Sequence, residues 1–232
     1  MTITPASLTR AAGACAVAAG VIFAGVQLGH PALNATSIAT TNVEVRDSLK
    51  VLMCALALAG ITGMYLSQLR RNGVLGLVGY VVLAAGYLGI MCVTFAAAYI
   101  MPEVAKSNAV YVDNVIAIDT SHGAVHGSIG ALKTVILLVG FAYLVGGLAF
   151  GIALFRARVL ARWACVLLAV GGLASAVLTL MPDAFYRLLA YPNAIAMIGL
   201  GYSLWQTTKP SSAVEPSTEA AGGPPLQRPV AQ

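Results

Sequence analysis

Four ionisable residues recur at near-helical spacing in the middle of the chain: Asp119, His122, His126 and Lys133. At about 100° per residue, one uninterrupted helix would place all four on a stripe about 60° wide. Two histidines and a carboxylate on one helix face are typical ligands of a divalent metal. The same groups suit acid–base catalysis, in which Asp119 or Asp113 moves a proton and a histidine or Lys133 tunes its pKa.

The default interpretation of this stripe is that its spacing is accidental. Gly123 and Gly127 each cost about 1 kcal/mol of helix stability relative to alanine. Without a continuous helix, both histidines are solvated loop residues. We therefore expect no cofactor and prefer acid–base chemistry as the functional hypothesis. A divalent metal at Asp119, His122 and His126 is the weaker alternative.

The composition indicates what kind of protein must hold these residues. Of 232 residues, 59% are hydrophobic and only 9% are charged, against about 25% charged in a soluble domain. With a mean hydropathy of +0.87, the apolar surface exceeds what a water-soluble core of this size can hide, so the lipid bilayer must act as solvent. The formal charge of +5 does not indicate a nucleic-acid partner, because the basic residues fall in short gaps between hydrophobic runs.

Six segments are apolar over about the 20 residues that a membrane-spanning helix needs. They cover residues 8–29, 49–68, 74–100, 128–155, 161–181 and 188–205. The predicted fold is all-α: a polytopic membrane protein with a bundle of six transmembrane helices in residues 1–206. Glycines recur along these segments at spacings that favour close helix packing. Residues 207–232 are rich in proline, serine and glycine, and we predict a disordered cytoplasmic tail.

The charges between the spans predict the orientation. Arg70 and Arg71 follow the second span, and Arg156 and Arg158 follow the fourth, whereas most acidic residues lie in the alternate gaps. The positive-inside rule then places both termini in the cytoplasm. The residues that follow Arg70 and Arg156 also match without gaps, which favours two related helical hairpins, with coincidence as an equal alternative.

Most of the polar chemistry then lies outside the membrane, in a predicted loop over residues 101–127. This loop carries Glu103, Asp113 and Asp119 as candidate acids. Lys133 lies about 34 Å along a helix from Arg156, so we expect its ammonium group to snorkel to the outer headgroups.

A few polar residues fall inside the predicted spans. Tyr80, Tyr87, Tyr143 and Asn193 are candidate substrate-binding residues, although packing with local hydrogen bonds is the preferred explanation of the tyrosines. All four cysteines lie in hydrophobic runs, so buried free thiols are expected. A disulfide between Cys54 and Cys92 is the open alternative.

Two segments carry a resemblance to known proteins. Residues Leu154–Trp163 (LFRARVLARW) and Gly199–Trp205 (GLGYSLW) resemble a large group of uncharacterised six-span proteins that are common in actinobacteria. This likeness covers spans 4 to 6 and implies a six-span fold in a bacterial inner membrane. In size, the chain is also similar to small integral-membrane terpene cyclases. That similarity implies acid-initiated chemistry on a prenylated substrate.

Three classes of function follow. An enzyme acting on a lipid-soluble substrate would need only an acidic residue at the outer end of the bundle and aromatic rings that stabilise a cation. A non-catalytic accessory or structural subunit ranks almost level with it, because it needs nothing beyond a stable bundle. A small transporter ranks third, since the span centres offer few polar groups. The expected partners are the lipid bilayer and a lipophilic small molecule, and a homo-oligomer is compatible with this interpretation.

Overall fold

The computed structural model describes residues 4–121, 123–178 and 190–208, with the backbone alone for residues 173–178. These residues form eight α-helices and one short 3₁₀ helix, and they contain no strand. The helices are α1 (Pro5–Gln27), α2 (Thr41–Ser67), α3 (Leu69–Tyr99), α4 (Met101–Ser107), α5 (Ala109–Thr120), α6 (Leu132–Ala157), α7 (Arg162–Leu178) and α8 (Ala190–Gln206), and the 3₁₀ helix is Ser37–Ala39. The prediction of an all-α protein is confirmed. His122 and most of the predicted tail lie outside the described residues.

Four of these helices, α1, α2, α3 and α6, are long and apolar enough to cross a membrane. They correspond to the first four predicted spans. The predicted fifth and sixth spans coincide with α7 and α8, of which the structure describes 17 residues each. Residues 179–189, which lie between these two helices, are outside the described part.

The helix ends differ from the apolar segments that predicted them. For example, α2 begins at Thr41 rather than near residue 49. A hydropathy pattern detects only the apolar part of a helix, whereas backbone hydrogen bonding continues into polar sequence. Glu44 in the first turn favours this extension, since a carboxylate near a helix N-terminus interacts well with the helix dipole.

The six long helices form a closed ring in the order α1, α2, α3, α6, α7, α8. Neighbouring helices run antiparallel: Gly13 near the start of α1 meets Gly201 near the end of α8, and Gly20 meets Ala194. Buried apolar side chains, including Leu83, Phe150 and Leu200, fill the interior. The first and last described helices therefore close the bundle against each other.

Glycines set the spacing of the helices, as their sequence pattern predicted. A Cβ at Gly13 would lie 2.7 Å from the backbone oxygen of Gly201, and a Cβ at Gly201 would lie 2.6 Å from that of Gly13. Between α3 and α6, a Cβ at Gly79 would lie 2.5 Å from the backbone nitrogen of Phe150. Helix backbones approach this closely only where the side chain is absent.

One end of the bundle is covered by a cap, which we define as residues 28–40 and 100–131. Its apolar residues form a second cluster with the helix ends: Ile38, Val43, Met101, Val112, Val115, Ile129 and Ile136. The predicted loop over residues 101–127 is therefore largely wrong, because α4 and α5 occupy most of it. Hydropathy did not predict α5, because its apolar residues form only a short run between polar residues.

The chain between Asp119 and Lys133 does not form one helix. α5 ends at Thr120, Ser121 adopts a left-handed conformation with φ 57°, and Gly123 and Gly130 have φ values of 104° and 63°. α6 begins only at Leu132, so the predicted start of the fourth span at residue 128 is also too early. Positive φ values end a helix, and the glycines accept them at little cost. The structure therefore agrees with the default interpretation, since Asp119, His126 and Lys133 do not lie on one continuous helix.

The opposite end of the bundle, which we call the arginine end, carries Arg10, Arg70, Arg71, Arg156, Arg158 and Arg162. The Nε atom of Arg10 donates a hydrogen bond to Thr208 Oγ1 (2.9 Å), and the Ala161 backbone N–H donates to Ser203 Oγ (2.9 Å). These bonds join α1 to the end of α8, and α8 to the start of α7. The arginine end and the cap thus lie at opposite ends of the bundle.

Candidate functional site

The strongest group of ionisable residues lies where α2 enters the cap. Asp47 and Lys50 are one helical turn apart and form an ion pair, with Lys50 Nζ 2.7 Å from Asp47 Oδ1. Asp47 is only 3% exposed, and the Lys50 side chain is 22% exposed. Charges buried to this degree are retained only when they are paired. Each of the two buried charges therefore needs the other for its stability in the bundle.

His30, in the connection between α1 and α2, extends this ion pair. Its Nε2 atom lies 3.2 Å from Lys50 Nζ, and its Nδ1 atom lies 2.9 Å from the carbonyl oxygen of Pro31. A charged lysine only donates, so His30 Nε2 accepts and the ring proton is on Nδ1, where it can donate to Pro31. His30 thus links the ion pair to the connection between α1 and α2.

Asp119 joins this group from the last turn of α5. Although the residue keeps an exposed surface, surrounding protein desolvates its carboxylate and raises its pKa above the usual range. The charge of Lys50 acts against this rise in pKa, and the charge of Asp47 adds to it. Since Lys50 pairs directly with Asp47, Asp119 retains the raised pKa of a carboxyl group that can donate a proton.

Asp47, Lys50 and Asp119 line one cavity of about 90 Å³ beneath the cap. Asp47 and Lys50 of α2 and Asp119 and Thr120 of α5 supply most of its polar wall. The apolar wall consists of Leu33, Ile38, Val93, Ala96, Ala97, Met101, Val115, Ile116, Leu132 and Ile136. Asp119 thus lies where a mainly apolar cavity meets the exposed surface of the cap.

The raised pKa of Asp119 has a consequence for stability. A group whose pKa is higher in the folded than in the unfolded state contributes stability that is fully present below the unfolded pKa. That contribution is lost as the pH rises through the folded pKa. Asp119→Asn has no carboxyl group at this position, so its free energy of unfolding should not fall in this way. We expect the stability of Asp119→Asn relative to wild type to increase as the pH rises above about 4. Thermal unfolding in detergent across the acid-to-neutral range tests this, and identical pH profiles for both proteins would contradict it.

The other predicted acids lie outside the cavity wall. Asp113 accepts a hydrogen bond from the Ala35 backbone N–H (2.7 Å), which joins α5 to the connection between α1 and α2. Glu103 pairs with Lys106 (2.6 Å) on the exposed face of α4. Asp113 therefore holds the cap together, and Glu103 lies in a solvated ion pair.

The predicted metal site is not assembled in the described residues. His126 is exposed, and its backbone N–H donates to Asn114 Oδ1 (2.7 Å). Lys133 is also exposed, in the first turn of α6. No group of three histidine, cysteine or carboxylate side chains suited to a metal is found within the described segments. His122 lies outside them, so the metal hypothesis keeps only Asp119 at the cavity.

The predicted substrate-binding tyrosines lie in the bundle interior. Tyr87 and Tyr143 make an edge-to-face contact with ring centroids 5.3 Å apart, and Tyr80 stacks on Tyr65 at 4.7 Å. Asn193 is buried in α8, beside Gly171 of α7. None of these four predicted residues is among those that line the cavity. Packing accounts for them, and the structure does not bring them to Asp119.

The sequence analysis missed His30, Asp47 and Lys50 as a group. One signal could have found them: Lys50 falls inside the predicted second span, and an ionisable residue in a span is a functional candidate by default. All four cysteines are free thiols, as expected, but only Cys54 and Cys165 are buried, whereas Cys15 is half-buried and Cys92 is exposed.

Comparison with known proteins adds no identification, because no family model, curated protein or solved structure matches this chain. The functional argument therefore depends on the geometry of the cavity.

Proposed function

We propose that this protein is a membrane-embedded enzyme that acts on a lipid-soluble, prenylated substrate by acid–base cyclisation or isomerisation. The observation that carries the proposal is Asp119, a carboxyl group with a raised pKa that lines a mainly apolar cavity at one end of the bundle. General acids that work near neutral pH are tuned in this way. The proposal includes six membrane spans in a bacterial inner membrane, with both termini in the cytoplasm and the cavity at the outer side.

The proposed reaction needs only one proton carrier. The Asp119 carboxyl group donates its proton to a substrate double bond, which leaves a carbocation on the adjacent carbon. A second double bond attacks this carbon in a cyclisation, or the cation persists in an isomerisation. Loss of a proton to the Asp119 carboxylate then forms a new double bond and restores the acid. Substrate and product have the same mass.

The ion pair beneath the cap supports this cycle electrostatically. Lys50 stabilises the carboxylate that Asp119 becomes, and Asp47 holds Lys50 in place through their 2.7 Å contact. The cavity of about 90 Å³ is smaller than one of about 150 Å³ that accepts benzene. It therefore encloses only the reacting end of the substrate, and the hydrocarbon chain lies along the bundle surface.

The proposal is tested by comparing lipid extracts from host cells that express wild type or Asp119→Asn. Wild type is expected to convert a prenylated lipid into a species of unchanged mass and altered chromatographic retention. Asp119→Asn should fold and lower this conversion by about 10²–10⁴-fold, the usual contribution of a general acid. Glu44→Gln is the matched control, because Glu44 is an exposed acid in the first turn of α2. Equal conversion by Asp119→Asn and wild type would overturn the proposal.

A non-catalytic accessory or structural subunit is the second candidate function. The small volume of the cavity favours it, since little of a prenylated molecule can enter. In that case, the ion pair and Asp119 serve only to join the cap to the bundle. Lipid extracts would then be the same with and without the protein.

A further inference from the structure

A second concave surface lies on the other side of α2, between α1 and α2 near the cap. It is an open groove of about 490 Å³, within the range of small-molecule sites. Its apolar wall is formed by Ile22, Gly25, Val26, Val45 and Leu49. Ile22 and Leu49 are the lining residues of α1 and α2 that lie farthest from the cap along the chain, whereas Val26 contacts Arg46. Thr41, Asn42 and Arg46 form its polar part at the cap end. The groove is thus amphipathic along the bundle axis.

Arg46 is held rigidly at the polar end of this groove. Its Nη1 atom donates to the carbonyl oxygens of Val26 (2.9 Å) and Leu28 (2.8 Å), and Nη2 donates to that of Gly29 (3.2 Å). Its Nε atom donates to Asn42 Oδ1 (2.6 Å). The carbonyl groups at the end of α1 lack helical partners, and Arg46 satisfies them.

The positive charge of Arg46 is not neutralised by these contacts. The carbonyl groups carry only the partial negative charge of a helix C-terminus. Within the described segments, no carboxylate lies within 4.0 Å of the guanidinium, since the ion pairs found there are Asp47–Lys50 and Glu103–Lys106. Among the hydrogen bonds of the described residues, one N–H of Nη2 also has no acceptor, because a guanidinium has five donors and four are used. A full positive charge therefore lies at the head of an apolar groove.

We propose that this groove binds one acyl chain of an anionic phospholipid, with the lipid phosphate at Arg46. The charge and the apolar surface are arranged as in such a lipid, with the anion at the cap end and the hydrocarbon deeper. Four helices long and apolar enough to cross a membrane place this surface against lipid, where an acyl chain is always available. Basic pockets between membrane helices on the cytoplasmic side bind anionic head groups, and Arg46 would supply the same charge contact at the cap end. The site does not depend on the chemistry proposed for Asp119.

Gly25 permits a clean test of the apolar part. A Cβ at Gly25 would meet nothing within 4 Å, so Gly25→Leu fills the groove without disturbing the helix contact. Gly140 of α6 also has nothing within 4 Å of such a Cβ, and it does not line the groove. Gly140→Leu is therefore the matched control for an added leucine on the bundle surface.

The measurement is native mass spectrometry of the delipidated full-length protein with added dioleoyl phosphatidylglycerol or dioleoyl phosphatidylcholine. Wild type and Gly140→Leu are expected to bind one phosphatidylglycerol about tenfold more tightly than phosphatidylcholine, as one charge-assisted contact implies. Gly25→Leu should weaken phosphatidylglycerol binding by about tenfold or more. Equal binding by Gly25→Leu and wild type would overturn the site.

Arg46→Gln tests the anionic preference separately. It should remove the preference for phosphatidylglycerol while phosphatidylcholine still binds, because the apolar part of the groove is unchanged. If Arg46→Gln does not fold because the carbonyl groups at the end of α1 lose their hydrogen bonds, the comparison of the two lipids on wild type decides instead. Equal affinity of wild type for both lipids would show that the groove does not select an anion, and the proposal would fail.

Discussion

Lys50→Met is expected to lower the free energy of unfolding by about 3 kcal/mol, because it leaves the buried Asp47 carboxylate without its partner. Asp47 is 3% exposed, so water cannot replace the lost ammonium group. The double variant Asp47→Leu/Lys50→Met should recover most of the loss, since removing both charges removes the cost of burying either one. Denaturant titration in detergent measures all three proteins.

The chain contains its own control for this experiment. Glu103 and Lys106 have the same spacing of three residues and a similar contact distance of 2.6 Å, but their side chains are 72% and 69% exposed. Lys106→Met should therefore change stability by less than about 0.5 kcal/mol, as is usual for exposed ion pairs. A similar effect of Lys50→Met and Lys106→Met would show that burial does not strengthen the inner pair.

Gly146→Ala should destabilise the bundle by about 2 kcal/mol or more, although alanine favours helix formation. A Cβ at Gly146 would overlap the backbone of Leu83, so α3 and α6 could not keep their present separation. Overpacking at a site without free volume commonly costs about 1–3 kcal/mol. Backbone atoms cannot rotate away as a flexible side chain could, which places the cost at the upper end of that range.

Gly140→Ala on the same helix should instead stabilise the protein. Its Cβ would meet nothing within 4 Å, so only the helix preference of alanine remains, worth at most about 1 kcal/mol. Thermal unfolding in detergent compares the two variants directly. Equal shifts of the melting temperature at the two positions would contradict the assignment of Gly146 to the helix contact.

Helices and their approximate positions were predictable because they depend on consecutive residues. The first four apolar segments became α1, α2, α3 and α6, since a chain in lipid must satisfy its backbone hydrogen bonds within each segment. Helix ends were less predictable. The polar start of α2 at Thr41 and the start of α6 at Leu132 depend on local φ values and capping, which hydropathy does not report.

The candidate site shows a similar division between local and long-range information. The sequence singled out Asp119, because its neighbours in the chain are ionisable, but it grouped Asp119 with His126 and Lys133 along a helix that ends at Thr120. The structure instead places it in a cavity wall with Asp47 and Lys50. Residues so far apart in the chain share this cavity because α2 and α5 both contribute to the apolar cluster at the cap end.

The amino-acid sequence by itself determined that this chain is helical and apolar, and that most of its arginines lie between the apolar segments. These properties follow from the chemistry of neighbouring residues and the demands of a lipid solvent. The tertiary structure alone decided that α1 and α8 close the ring, and that His30, Lys50 and Asp119 share one region beneath the cap. Contacts of this kind depend on glycine-mediated helix packing and on buried charges finding partners. The relevant neighbours of Asp119 are therefore the residues that line the cavity, and not the ionisable residues that follow it in the chain.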